Sequence, residues 1–115
     1  MHELSLAAEI LRLVQASAAR DAFSRVATLR LEAGALAGVE VSALRFALDA
    51  IAPGTCLDGA AIQIDQPAGR AWCSGCAAEV EIASRADPCP VCGGAPLRPT
   101  GGSELRVLDL VVQDD

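Results

Sequence analysis

At 115 residues, 52% of them hydrophobic, the chain is long enough for one compact domain with room for a small appended module, and with two Phe, one Trp and no Tyr its core must be aliphatic. The formal net charge of −6, with all nine basic residues Arg, argues against nucleic-acid binding, which needs clustered cations to neutralise phosphates. No apolar run approaches the ~20 residues that span a bilayer, and the start lacks the basic and apolar regions of a secretory signal, so a soluble cytoplasmic protein is expected.

Residues 4 to about 20 predict an amphipathic helix, with Leu6, Ile10, Leu13 and Val14 on a broad apolar face and Glu9, Arg12 and Arg20 opposite. From Arg25 to Ala33 the chain alternates, with Leu29 and Leu31 on one side and Arg30 and Glu32 on the other, as in a half-buried strand. Gly34 and Gly38 bracket a turn. A second helix is predicted over 41–52, where Leu44, Ala47, Leu48 and Ile51 recur at helical spacing, Arg45 pairs with Asp49, and Pro53-Gly54 stops the run.

Ala61 to Gln66 reads as a short strand. A Pro-, Gly- and Cys-rich insert occupies 67–102, with a short strand expected at 79–83, and Leu105 to Val112 forms the last strand. The alternation of that strand slips near Val107-Leu108, which fits a bulge or burial on both faces. The order predicts an α+β fold: a three-stranded sheet with two helices on one face, its last two strands paired as a hairpin swollen by the insert. On this division residues 1–66 and 103–115 form one domain, and 67–102 form an inserted zinc-ribbon domain.

Four of the five cysteines lie in the insert as Cys73-x2-Cys76 and Cys89-x2-Cys92, twelve residues apart. Two Cys three apart on a tight turn reach one ion, and a second such turn closes a tetrahedron of thiolates, the preferred shell of structural zinc. Iron of the rubredoxin type accepts the same shell, and two disulfides are a more distant alternative. Four thiolates leave no open position, so a zinc here is structural and the insert depends on it. The arginines of the insert are balanced by Glu79, Glu81 and Asp87, which disfavours nucleic acid again. Trp72 beside Cys73 is expected to shield the metal. Cys56, unpaired in sequence, reads as a small buried thiol or a soft accessory ligand.

The single histidine, His2, is one peptide bond from the amino end. The Met1 amine, the His2 amide and the His2 imidazole form two fused chelate rings, and the Glu3 amide completes a planar set of four nitrogens. Such a set favours Ni(II) or Cu(II). The plainer alternative is a solvated terminal histidine with no role.

Met-His-Glu-Leu-Ser-Leu at the start, Leu-Glu-Ala-Gly-Ala-Leu-Ala-Gly-Val-Glu at 31–40, Ala-Leu-Arg-Phe-Ala-Leu-Asp at 43–49, and the paired cysteines ending in Thr-Gly-Gly-Ser-Glu-Leu-Arg-Val at 100–107 together resemble the HypA/HybF hydrogenase-maturation nickel metallochaperones. The resemblance runs end to end. It implies a nickel site at Met1, His2 and Glu3, with Glu40 as a possible accessory, although a carboxylate favoured by a helix N-terminus explains Glu40 equally well. It implies zinc ligands at Cys73, Cys76, Cys89 and Cys92. It also implies delivery of Ni(II) to the nickel-iron hydrogenase precursor, and in some bacteria to urease, with a nickel-handling GTPase as partner. Family members with histidines beside the zinc cysteines are not matched here.

The leading expectation is therefore a non-enzymatic metal carrier with neither nucleic acid nor membrane as partner. No G-x4-G-K-[ST] loop is present for nucleotide hydrolysis, and no second histidine for triad chemistry. An iron electron carrier and a zinc-ribbon interaction module without nickel function are the alternatives.

Overall fold

The computed structural model describes residues 2–113. Among them the elements run α1 (His2–Asp21), β1 (Val26–Ala33), α2 (Val41–Ile51), β2 (Ala61–Asp65), β3 (Gly69–Cys73), β4 (Ala78–Ile82), β5 (Arg98–Gly101) and β6 (Leu105–Val112). They build two three-stranded sheets, ordered β2-β1-β6 and β4-β3-β5. The chain divides into two compact units. The first comprises Met1–Leu31, Val39–Ile64 and Val107–Asp115, and the second Glu32–Gly38 with Asp65–Arg106.

In the first unit α1 buries Ala7, Ile10 and Val14, and α2 buries Leu44 and Leu48, the spacings of amphipathic helices. The helices pack on one another. Val26, Leu29, Leu31 and Leu57 complete a core of aliphatic side chains. α2 begins where Glu40, in an extended conformation, accepts the Ser42 amide, and it stops before Gly54, whose φ of 80° favours glycine. The Arg45 guanidinium donates to the carbonyl of Ile62.

One pairing differs from expectation. β1 lies between β2 and β6, so the last two strands of that sheet flank it as edges instead of forming a hairpin. Ion pairs fix β6 to β1: Asp109 takes Arg30 at 3.1 Å, and Arg106 takes Glu32 at 3.0 Å. The expected slip in β6 is present, since Val107 and Leu108 are both half-buried between stretches that each alternate.

The second unit holds more strand than its sequence advertises. β3 pairs antiparallel with β4 and, on its other edge, with β5. Its core is Leu36, Ala71, Cys73, Val80, Ile82 and Cys89. Leu36 precedes α2 in sequence, yet it sits over Gly69, where an added Cβ would lie 2.6 Å from its Cγ. The backbone of 34–36 is laced to distant chain: Gly34 N–H donates to Glu104 O, Ala35 N–H to Pro67 O and Leu36 N–H to Gly102 O, at 2.8–2.9 Å. Gly34 and Gly102 approach so closely that a Cβ on Gly34 would fall 2.1 Å from the Gly102 carbonyl oxygen.

Candidate metal centre

β3 ends at Cys73, and the tight turn that follows, with Ala77 at φ 53°, carries Cys76 back towards it. The second turn runs from Cys89 to Gly94. Here the Gly93 amide donates to Cys89 O and the Cys89 amide to Gly94 O, closing a small loop with Gly93 at φ 72°. The two turns bring all four sulfurs within 4.8 Å of one another. Cys73 Sγ lies 3.6 Å from Cys92 Sγ, and Cys76 Sγ lies 3.8 Å from Cys89 Sγ. A tetrahedron with Zn–S bonds near 2.3 Å has edges of about 3.8 Å, so the donor set fits zinc.

Backbone amides favour thiolate at one of these sulfurs. The Val91 and Cys92 N–H groups point at Cys89 Sγ at 3.4 and 3.5 Å, and the Gly94 N–H points at Cys92 Sγ at 3.4 Å. The Cys92 and Val91 amides, working against partial desolvation, draw the Cys89 thiol down to about 6. Cys76 is pushed up to about 12, chiefly because its thiol hydrogen-bonds to the sulfurs of Cys92 and Cys89, which disfavours its own ionisation. A cation among the four removes that penalty, since it neutralises thiolates that repel each other.

Trp72 does not cover this cluster. β3 alternates buried and exposed positions, so Trp72 falls on the outer face from Cys73, opposite Glu79 on β4 and Arg98 on β5. The shielding comes from Leu36, Val80 and Ile82. Leu36 was invisible to local reasoning, because it arrives from chain over thirty residues before Cys73, the first cysteine of the cluster.

The first unit contains the other predicted site. Met1 lies outside the described residues. His2 is exposed and is the first residue of α1. Glu3 is half-buried, and its Oε2 accepts the backbone N–H of Glu40 at 3.2 Å. The Glu40 carboxylate itself is engaged, accepting the Ser42 hydroxyl and the Ser42 amide, the latter at 3.0 Å. The Ser42 hydroxyl and then its amide hold the Glu40 carboxyl below its ordinary value. Ser42 was missed in sequence. The only signal was the Glu-x-Ser spacing at a helix start. Cys56 is buried, and that burial pushes its thiol up, as expected of a packing residue.

Fold and site together define a small α+β protein with a four-thiolate metal-binding unit. A family model described as hydrogenase/urease nickel incorporation, metallochaperone, HypA matches residues 1–112. The hydrogenase maturation factor HypA of Cupriavidus necator is 60% identical over 114 residues, covering 99% of this chain and 96% of the relative. That of Polaromonas naphthalenivorans is 57% identical over 115 residues, covering all of both. The solution structure of the Ni metallochaperone HypA from Helicobacter pylori shares the fold, with a TM-score of 0.67 at 16% identity over 98% of each chain. The chain belongs to the HypA family of hydrogenase/urease nickel-incorporation metallochaperones.

Proposed function

We propose that this chain carries Ni(II) on its amino-terminal residues and passes it to the precursor of the nickel-iron hydrogenase large subunit, with a nickel-handling GTPase as partner. Zn(II) in the Cys73, Cys76, Cys89 and Cys92 shell holds the second unit together. Met1 supplies a free amine, His2 its amide and imidazole, and Glu3 its amide. The carrier performs no reaction of its own, so the energy for directed release comes from the GTPase. Four free thiols arranged for metal suit the reducing cytoplasm.

The observation that carries this reading is that α1 begins at His2. The first four amides of a helix have no carbonyl partner within it. Loss of the His2 and Glu3 amide protons to a metal therefore breaks no helical hydrogen bond. The fully nitrogen-bound ion would carry no net charge beside the positive end of the helix dipole, which disfavours a bare divalent cation there. Glu40 has a capping role on these contacts, with its carboxylate already satisfied by Ser42.

Nickel titration by calorimetry on three proteins tests the reading: the untagged chain, one extended by a residue before Met1, and His2→Ala. Extension converts the amine to an ordinary amide while leaving every side chain in place. Both variants should lose tight nickel binding and keep the four-cysteine metal. Undiminished binding by the extended protein would sink the terminal chelate.

A further inference from the structure

The four cysteines are not equally exposed. Cys73 and Cys89 are buried, Cys76 is half-buried, and Cys92 is exposed. A small oxidant in solvent therefore meets Cys92 first. Across the cluster, Cys73 Sγ lies 3.6 Å from Cys92 Sγ. The sequence neighbour Cys89, three residues away, is held otherwise: its sulfur accepts two amides of its own turn, at 3.4 and 3.5 Å. Bonding to Cys92 would pull Cys89 out from under those donors.

We propose that the cluster is a peroxide-responsive switch in which Cys92 is oxidised first and Cys73 resolves it, releasing the metal with a disulfide that joins the two turns. The zinc part of this proposal rests on the reading above, whereas the pairing rests on the sulfurs alone. The oxidant is hydrogen peroxide. The Cys92 thiolate attacks one peroxide oxygen, the O–O bond breaks, and hydroxide leaves, giving a sulfenic acid at Cys92. The Cys73 thiolate then attacks the Cys92 sulfur, and a second hydroxide leaves as the S–S bond forms. Two thiolates, one peroxide and two protons become one disulfide and two waters. The sulfurs give up two electrons, and the peroxide oxygens accept them.

The choice of partner decides what remains of the unit. A disulfide within one turn joins residues three apart and constrains nothing beyond that turn. A Cys73–Cys92 bond joins residues nineteen apart, tying the end of β3 to the second turn in place of the metal. The oxidised unit thus keeps its two turns together, and a thiol reductant restores the ligand set. Removal of two of four thiolates leaves too few donors to hold zinc tightly.

The test treats the full-length, metal-loaded protein with hydrogen peroxide and follows zinc release with a chelating dye. Remaining thiols are then alkylated and the disulfides mapped by non-reducing peptide analysis. Loss of the zinc together with a predominant Cys73–Cys92 disulfide, reversed by dithiothreitol with zinc rebinding, is expected. Cys56, being buried, should appear as a free alkylated thiol throughout. A predominant Cys89–Cys92 or Cys73–Cys76 disulfide would overturn the pairing, as would sulfinic acid at Cys92 without any disulfide. Retention of zinc after the disulfide has formed would overturn the switch. Metal analysis before oxidation keeps the two readings apart: protein lacking zinc at that stage counts against the zinc assignment, while the same mapping on its bare thiols still decides the pairing.

Discussion

The carboxylate of Glu3 accepts the backbone N–H of Glu40 at 3.2 Å, so the first turn of α1 is fastened to the residue that begins α2. One end of this bond is two residues from the amino terminus, and the other is the N-cap of a helix. A carboxylate at a helix start is favoured by the dipole as well as by the hydrogen bond. The contact holds the first turn of α1 against the start of α2.

Glu3→Ala should therefore cost about 1 kcal/mol of stability, the worth of one ordinary hydrogen bond at half-buried Glu3. On the proposed amide chelate it should weaken nickel binding less than His2→Ala, because the Glu3 amide remains. Parallel thermal melts and nickel titrations separate the two effects. Nickel binding lost as completely as in His2→Ala would mean that the carboxylate is itself a ligand.

Glu40 gives a pH signature. Its carboxyl is held below the ordinary value of 4.5 by the Ser42 hydroxyl and amide. A carboxyl depressed on folding stabilises the folded chain fully above its unfolded value, and that stabilisation drains away as pH falls through the folded one. Glu40→Gln keeps an acceptor oxygen and removes the titration. The difference in Tm between the native protein and this variant should be largest at neutral pH and should shrink below about pH 4.5. A difference unchanged down to acid pH would show that the Ser42 contacts carry no charge-dependent stabilisation.

How much of this was readable in advance follows from side-chain size. The helices and outer strands carry Leu, Ile and Val at diagnostic spacing, and their observed bounds lie within a residue or two of those expected. β3 hides because its inward positions are Gly69, Ala71 and Cys73, too small to mark a hydrophobic period. Gly69 has no room for a side chain because Leu36 fills the space above it. β5 hides behind Pro99, a residue that argues against a central strand but is tolerated at a sheet edge, where β5 lies. The cysteine spacing announced a metal cluster, since ligand geometry is local. Strand order β2-β1-β6, Leu36 in the ribbon core and the outward turn of Trp72 all depend on long-range packing, which no local window contains.

The approach of Gly34 to Gly102 makes a sharp steric prediction. A Cβ on Gly34 would stand 2.1 Å from a backbone oxygen that cannot rotate away. Gly34→Ala should destabilise the second unit by about 3 kcal/mol, at the upper end of overpacking costs. Gly101→Ala is the control, since its Cβ would meet nothing closer than 3.9 Å and should cost less than about 0.5 kcal/mol. Differential scanning calorimetry on both variants reads this directly. Equal stability of the two would mean that the backbone of 34–36 is free to shift.

Removal of the four-cysteine metal should act on one unit far more than on the other. The core cluster of the second unit has six buried residues, two of them cysteines of the metal site, and without the metal nothing joins the two cysteine turns through their sulfurs. The first unit buries Val14, Leu29, Leu44, Leu48 and Leu57 without any cysteine of the cluster. Cys73→Ala, Cys76→Ala, Cys89→Ala or Cys92→Ala, or chelation of the native protein, should therefore leave helical ellipticity from α1 and α2 nearly unchanged. Hydrogen exchange should show lost protection in β3, β4 and β5. The 34–36 amides, whose acceptors are Glu104, Pro67 and Gly102, should lose protection together with those strands although they precede α2 in sequence. Protection of 34–36 that survived while β3 exchanged freely would place Leu36 outside the cooperative core of the metal-binding unit. Loss of α1 and α2 together with the ribbon would instead show that the two units fold as one.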